Sequence, residues 1–244
     1  IGYDWLYDVI PEMDRLLLVK TVQTRVFNAY LNRVYPTNPW SRVGWNINNV
    51  CNGGIAVASL AFGDCAAAPN ASAALGNATM ALEKAFAAYT PSGAWPEGTT
   101  YWAYATSFSL AASGSMISAL GSDGGLSETR GFNETGLFCI YNFGPARKTW
   151  NWGDSDVGGC QPDVLMFLAK RFPHLAGVYS YVARSLVSEF IANPTSGLGA
   201  ASLALSLAAY TPTGDEREFA KLPKAWEFRS EGLGNMAFFP LKLD

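Results

Sequence analysis

A single carboxylate, Glu97, stands just before Tyr101, Trp102 and Tyr104 in "WPEGTTYWAYAT", residues 95–106. Carboxylates and phenols can pass protons, and aromatic rings offer flat apolar faces on which a sugar ring stacks. The stretch reads as a wall that could hold a saccharide while Tyr101, or Tyr104 on the same helical face, moves a proton. The plainer reading makes the aromatics core and leaves Glu97 at a helix start, where a negative charge is favoured. A phenol with an ordinary pKa near ~10 acts as a base at neutral pH only beside positive charge or strong donors.

Two more clusters carry chemistry-bearing side chains. "WNINNVCNGG", residues 45–54, sets Asn46, Asn48, Asn49 and Asn52 at the entry of a helix. Capping and turn formation account for some of these amides, while the rest could aim neutral donors at an anion, aided by the positive helix end. "YNFGPARKTWNWGDSD", residues 141–156, offers Arg147, Lys148, Trp150, Asn151, Trp152 and Asp154 on one loop. Indoles for stacking beside cations and amides for hydroxyls or carboxylates are a sugar-recognition set. Arg147 or Lys148 is also placed to supply the positive charge a basic tyrosine needs. A carboxylate pair, Glu97 with Asp154 or Asp156, would suit an inverting glycosidase if separated by ~6.5–9.5 Å.

Other chemistries lack their residues. His174 is the sole histidine and sits in "FPHLAG", a helix start, so it reads as structural. A Ser-His-Asp triad would have to pass through it, and no GxSxG elbow is present. There is no P-loop and no dinucleotide fingerprint. The net charge of −3 and the absence of a basic patch disfavour nucleic acid. No metal-ligand set is apparent, and the four cysteines lack CxxC spacing. Their sequence-near pairs are Cys51/Cys65 and Cys139/Cys160, one of three possible connectivities. Three sequons, at Asn70, Asn77 and Asn133, point with the cysteines to a secreted, N-glycosylated protein. No apolar run reaches membrane-spanning length, and Ile1 opens onto folded-looking sequence without a signal peptide.

The elements that must position these residues are mostly helical. Half of the 244 residues (49%) are hydrophobic and only 15% charged, enough apolar surface for a large core. Leu16, Val19, Val22, Val26, Tyr30 and Val34 recur at helical spacing behind Pro11. Residues 47–62 form a helix apolar or small all round, expected to be buried. Helices follow at 70–89, at 99–120 with Tyr101, Tyr104, Phe108, Ala112 and Ser115 as its stripe, and at 133–142. A loop spans 144–160, and helices return over "QPDVLMFLAKRF", "FPHLAGVYSYVARSLVSEFI" and 198–210. "AAYTPSG" at 87–93 is echoed by "AAYTPTG" at 208–214, each closing an Ala-rich helix with a glycine turn. Antiparallel helical hairpins with short turns are the implied architecture. The last stretch, "AWEFRSEGLGNMAFFPLKLD", has the short aromatic runs of strands.

In their order, "DWLYD" at 4–8, "WNINNVCNGG", "WPEGTTYWAYAT" and "WEFRS" at 226–230 resemble the heparinase II/III-like polysaccharide lyases, over nearly the whole chain. The resemblance implies a mainly α fold: a partial, incomplete (α/α) toroid of antiparallel helical hairpins over 1–222, and over 223–244 the first strands of a β-sandwich or a C-terminal extension. It implies β-elimination on a uronic-acid polysaccharide. Asn46 matches the group that neutralises the uronate carboxylate, with Asn49 its competitor. Tyr101 matches the proton-transfer tyrosine, with Tyr104 its competitor. Glu97, Trp102, Trp150 and Trp152 would support the tyrosine or line subsites. Two departures stand out: relatives often carry histidine where this chain has Asn46 and another on the first sandwich strands that nothing here matches, and against the family's pattern the sequence is expected to be incomplete at both ends. No cofactor is implied within this segment, a structural metal ion belonging to the sandwich outside it, and another chain or segment would carry that sandwich. A uronate C5-epimerase and a catalytically silent carbohydrate-binding protein with the same fold remain open beside the lyase.

Overall fold

The computed structural model describes residues 1–34, 37–144, 148–158, 160–193, 200–230 and 234–238. The fold is mainly helical, and the chain divides into two compact units, Ile1–Ala87 with Ala111–Ser127, and Ala88–Leu110 with Glu128–Asp244. Among the described residues no helix is long and apolar enough to cross a membrane.

The first unit opens with α1 (Gly2–Trp5) and α2 (Glu12–Val22), which runs on into π-helical turns at Gln23–Phe27 and Tyr30–Val34. Those turns shift the apolar stripe out of 3.6-residue register. Val19, Phe27 and Tyr30 are buried, whereas Leu16, expected inward, is exposed. A 3₁₀ turn at Pro39–Arg42 leads to α3 (Asn46–Phe62), and α4 (Ala71–Ala87) packs on it. The buried face of α4 is Ala71, Ala74, Ala78, Ala81, Leu82, Ala85 and Phe86. Side chains this small let two helix backbones approach closely, which explains why an alanine-rich sequence forms core rather than surface. Helix α3 is not buried all round: its inward face is Asn48, Asn49, Asn52, Gly53, Ala56, Ser59 and Phe62, while Ile47 is exposed. Asn48 and Asn52 can face inward because they join one hydrogen-bonded chain. Tyr30 Oη donates to Asn52 Oδ1 (2.6 Å), Asn52 Nδ2 donates to Asn48 Oδ1 (2.7 Å), and Asn48 Nδ2 donates to the carbonyls of Val43 (2.8 Å) and Ala81 (3.0 Å). A satisfied chain of this kind avoids the cost of burying bare amides.

Helix α5 (Thr99–Leu120) contributes residues 99–110 to the second unit and 111–120 to the first. Its buried stripe is Trp102, Ala105, Thr106, Ser109, Ala112, Ser113 and Met116, not the expected line through Tyr101, Tyr104 and Phe108. In the first unit, Asp123 closes the loop after α5, accepting from Ser113 Oγ and from the amides of Gly125 and Ser127.

The second unit continues with a 3₁₀ turn (Phe132–Glu134), α6 (Thr135–Tyr141), α7 (Pro162–Arg171), α8 (Ala176–Ala192), α9 (Ala200–Ala208) and α10 (Glu216–Phe219). Helix α7 packs on both α8 and α9. The core is aromatic: Tyr89 meets Trp95 at 4.8 Å and Phe132 at 4.9 Å between ring centroids. The two echoed turns do the same work. Gly93 and Gly214 both hold positive φ, and each lies so close to the start of another helix, Thr135 of α6 and Gly177 of α8, that no Cβ fits.

At the end of the chain β1 (Trp226–Ser230) pairs antiparallel with β2 (Gly234–Phe238), Phe228 opposite Met236. Strand β1 lies against the helices of its unit: Phe228 is fully buried, edge-on to Phe138 at 5.4 Å, and the Arg229 amide donates to Ser92 Oγ. Contacts thus cross the 222–223 boundary expected from the sequence. Cys139 and Cys160 form a disulfide, while Cys51 and Cys65 are not bonded to each other. Cys65 Sγ instead lies 4.0 Å from Tyr3 Oη.

Candidate functional site

The site is built on the start of α5. A helix leaves its first amides without internal partners, and a Ser, Thr, Asp or Asn at the cap normally bonds one of them. Here the residue before the helix is Gly98, which has no side chain. The missing cap comes from the 148–158 loop: the Thr100 amide donates to Ser155 Oγ at 2.7 Å. Gly98 has φ +89°, and a Cβ there would run into Ser155, so glycine is what allows the loop this close.

Further bonds tie the two segments together. Thr99 Oγ1 donates to Thr149 Oγ1 (2.9 Å), Thr149 Oγ1 and Thr100 Oγ1 both donate to the Gly158 carbonyl (3.0 and 2.9 Å), and the Asp156 amide donates to Thr100 Oγ1 (3.1 Å). The loop is also held within itself, the Thr149 amide donating to the Val157 carbonyl and the Trp150 amide to that of Asn142. The disulfide closes it at one end. The loop does fold onto the turn that carries Glu97 and Tyr101, and its Gly153 lies beside the backbone of Glu97.

The expected ligand residues separate by exposure. Glu97 and Tyr101 are half-buried, and Tyr104 is 48% exposed with its ring edge-on to Phe108 at 5.5 Å. On the loop, Trp150 is 64% exposed, and Lys148, Asn151, Asp154 and Asp156 are exposed with it. Trp152 is half-buried, its ring 6.5 Å from Phe138 and its Nε1 buried, with no hydrogen-bond partner among the described residues. Arg147 lies outside the described residues. Trp102 does not line a subsite: it is fully buried, and its Nε1 donates to Thr135 Oγ1 (2.8 Å), which in turn donates to the Gly93 carbonyl. Its indole fastens α5 to α6.

In the first unit, Asn46 is half-buried at the first turn of α3, between the exposed side chains of Trp45 and Ile47. Asn49 is fully buried and so cannot meet a ligand as the competitor of Asn46. Asn48 and Asn52 are spent in the chain from Tyr30. Of the four amides in the motif, Asn46 alone keeps solvent access.

Burial also sorts the tyrosines. Desolvation pushes Tyr141, whose hydroxyl donates to the Pro223 carbonyl, up to about 12. Burial likewise raises Tyr89 and Tyr179 well above the ordinary tyrosine value. These three are therefore poor proton carriers near neutral pH. Burial also raises Asp163, partly offset by the hydrogen bond from Ser202.

Sequence reasoning passed over two features. The clamp residues Thr99, Thr100, Thr149 and Ser155 are ordinary in type, and the one signal for them was a helix start with glycine in place of a capping side chain. A groove of about 690 Å³ lined by Lys170, His174, Gly177, Thr213, Glu218 and Lys221 also lies in the second unit. His174, exposed there, has Nε2 3.2 Å from Asn133 Nδ2. Among the described residues no group of His, Cys, Asp and Glu could hold a metal ion. No protein-family model and no curated protein matches the chain.

Proposed function

We propose that this chain is the α/α-toroid part of a heparinase II/III-like polysaccharide lyase that cleaves a uronic-acid polymer by β-elimination. Asn46 neutralises the uronate carboxylate, which acidifies the C5 proton. Tyr101 transfers that proton, with Tyr104 as the second candidate on the same exposed face, and Glu97 orients the phenol or a sugar hydroxyl. Trp150 stacks on a ring, and Lys148, Asn151 and Asp154 bind around it. Trp102 and Asn49 take no part in ligand contact. The protein acts outside the cell, with sequons at Asn70, Asn77 and Asn133.

One observation supports the reading above the others. A loop bearing an exposed tryptophan is hydrogen-bonded across the first turn of the helix that carries Glu97 and Tyr101. A core helix has no need of such a loop, whereas a saccharide site needs stacking rings and proton donors held by one framework.

The test is the ultraviolet absorbance of the unsaturated uronate that elimination forms, measured with alginate, glucuronan and heparan sulfate as substrates. Tyr101→Phe should lower the rate by ~10²–10⁴-fold. Unchanged turnover removes Tyr101 from the mechanism and turns attention to Tyr104→Phe. Binding of these polymers by calorimetry with no absorbance from the wild type would make the protein a carbohydrate binder, a role the exposed Trp150 would equally serve.

A further inference from the structure

We infer that the Cys139–Cys160 bridge is a thiol-reversible latch that holds the 148–158 loop on the first turn of α5. The bridge joins α6 to Cys160, two residues before the start of α7, with a sequence separation of 21 and Cα atoms 5.7 Å apart. The 148–158 loop lies wholly within that closed ring. Its grip on α5 is polar: the Ser155 cap on the Thr100 amide and the threonine and carbonyl bonds around it. Lys148, Trp150, Asn151, Asp154, Asp156 and Val157 all face solvent, so once the ring is opened the apolar hold on the loop is the half-buried Trp152 ring against Phe138, and the rest of its grip is polar. Opening the ring lengthens the freedom of the segment, and water can replace each of the clamp bonds.

The two sulfurs differ in access. Cys139 is fully buried and Cys160 half-buried, which makes Cys160 Sγ the point of attack. A dithiol reductant supplies the electrons. Its thiolate attacks Cys160 Sγ, the S–S bond breaks, and Cys139 leaves as a thiolate that takes up a proton. The second thiol of the reductant then resolves the mixed disulfide, releasing Cys160 as a thiol and leaving the reductant as its own disulfide. Two electrons and two protons pass to the protein. The freed loop withdraws Ser155 from Thr100, uncaps the helix and takes Trp150 away from the turn that bears Glu97 and Tyr101. The latch therefore regulates the site proposed above, and it rests on that reading only in what the loop governs.

Amide hydrogen exchange with mass spectrometry tests the latch without any substrate, so that a failed latch and a failed lyase assignment are told apart. The whole chain is compared before and after dithiothreitol, with reduction verified by the mass gain of the bridged peptides. Exchange at Thr100 and Asp156 should rise by about tenfold or more, that of residues 71–87 should hold, and reoxidation should restore protection. The Cys139→Ser/Cys160→Ser variant should reproduce the reduced pattern, and if it does not fold, the reduced wild type still decides. Three results overturn the inference: a reduced bridge with unchanged exchange at Thr100, a bridge that resists the dithiol while the protein stays folded, or loss of protection throughout the chain, which would make the bridge a global staple.

Discussion

Asn48 offers a sharp test of how the asparagine motif divides its labour. Replacing it with alanine removes donors to the Val43 and Ala81 carbonyls and the acceptor for Asn52 Nδ2. Each hydrogen bond is worth about 1 kcal/mol net, and each buried group left bare adds about 1–3 kcal/mol. The Ala81 carbonyl keeps its place in α4, so Asn52 Nδ2, fully buried, is the main orphan. Three bonds and one orphan give a loss of about 4–6 kcal/mol. At roughly 2–4 °C per kcal/mol for a chain of this size, the melting temperature should fall by at least ~8 °C. Circular dichroism melts of Asn48→Ala and Asn46→Ala, side by side, supply the assay. Asn46 is half-buried at the helix entry, and its replacement should shift the melt by no more than a few degrees while abolishing turnover. An Asn48→Ala melt indistinguishable from wild type would refute the claim that the buried amides are a structural chain.

Two further expectations follow from other buried hydrogen bonds. Trp102→Phe should cost about 1–2 kcal/mol in urea unfolding, since Thr135 loses its indole donor, and should leave saccharide affinity unchanged; a fall in affinity without a fall in stability would return Trp102 to the site. Burial alone would raise Asp123, but hydrogen bonds from Ser113, Ser127 and Gly125 outweigh it and hold its pKa below the ordinary 3.8. A depressed carboxyl contributes stability that is fully present above that value and is lost as pH falls below it toward the folded-state pKa. Asp123→Asn should therefore be less stable than wild type at neutral pH, and the gap should narrow below pH 3.8; a gap constant with pH would contradict this.

Helix positions were legible because hydrophobic spacing and breakers report them directly, as with α4, α5, α7 and the paired Thr-Pro-x-Gly turns. Which face of a helix turns inward was harder. Asn48 and Asn52 look like surface residues until Tyr30 and Ala81 are brought to them by packing, and that pairing spans up to 33 residues. The π-helical turns displaced the stripe of the first long helix in a way no 3.6-residue count anticipates. In α5 the aromatic residues misled, since Tyr104 is as apolar as Trp102 in a pattern yet points outward. The loop's docking was foreseeable only as a possibility carried by its tryptophans, because the cap it supplies to Thr100 comes from Ser155, 55 residues away. Of the two sequence-near pairs, left open as one of three connectivities, Cys139 and Cys160 are bonded while Cys51 and Cys65 are not.

Removal of the C5 proton is the step on which the proposed chemistry turns, and proton nuclear magnetic resonance of a uronate polymer in deuterated buffer observes it directly. The proposal predicts that the H5 signal disappears as an olefinic H4 signal grows, and that neither change occurs with Tyr101→Phe. New reducing ends with H5 intact, or a spectrum that the protein leaves untouched, would contradict it.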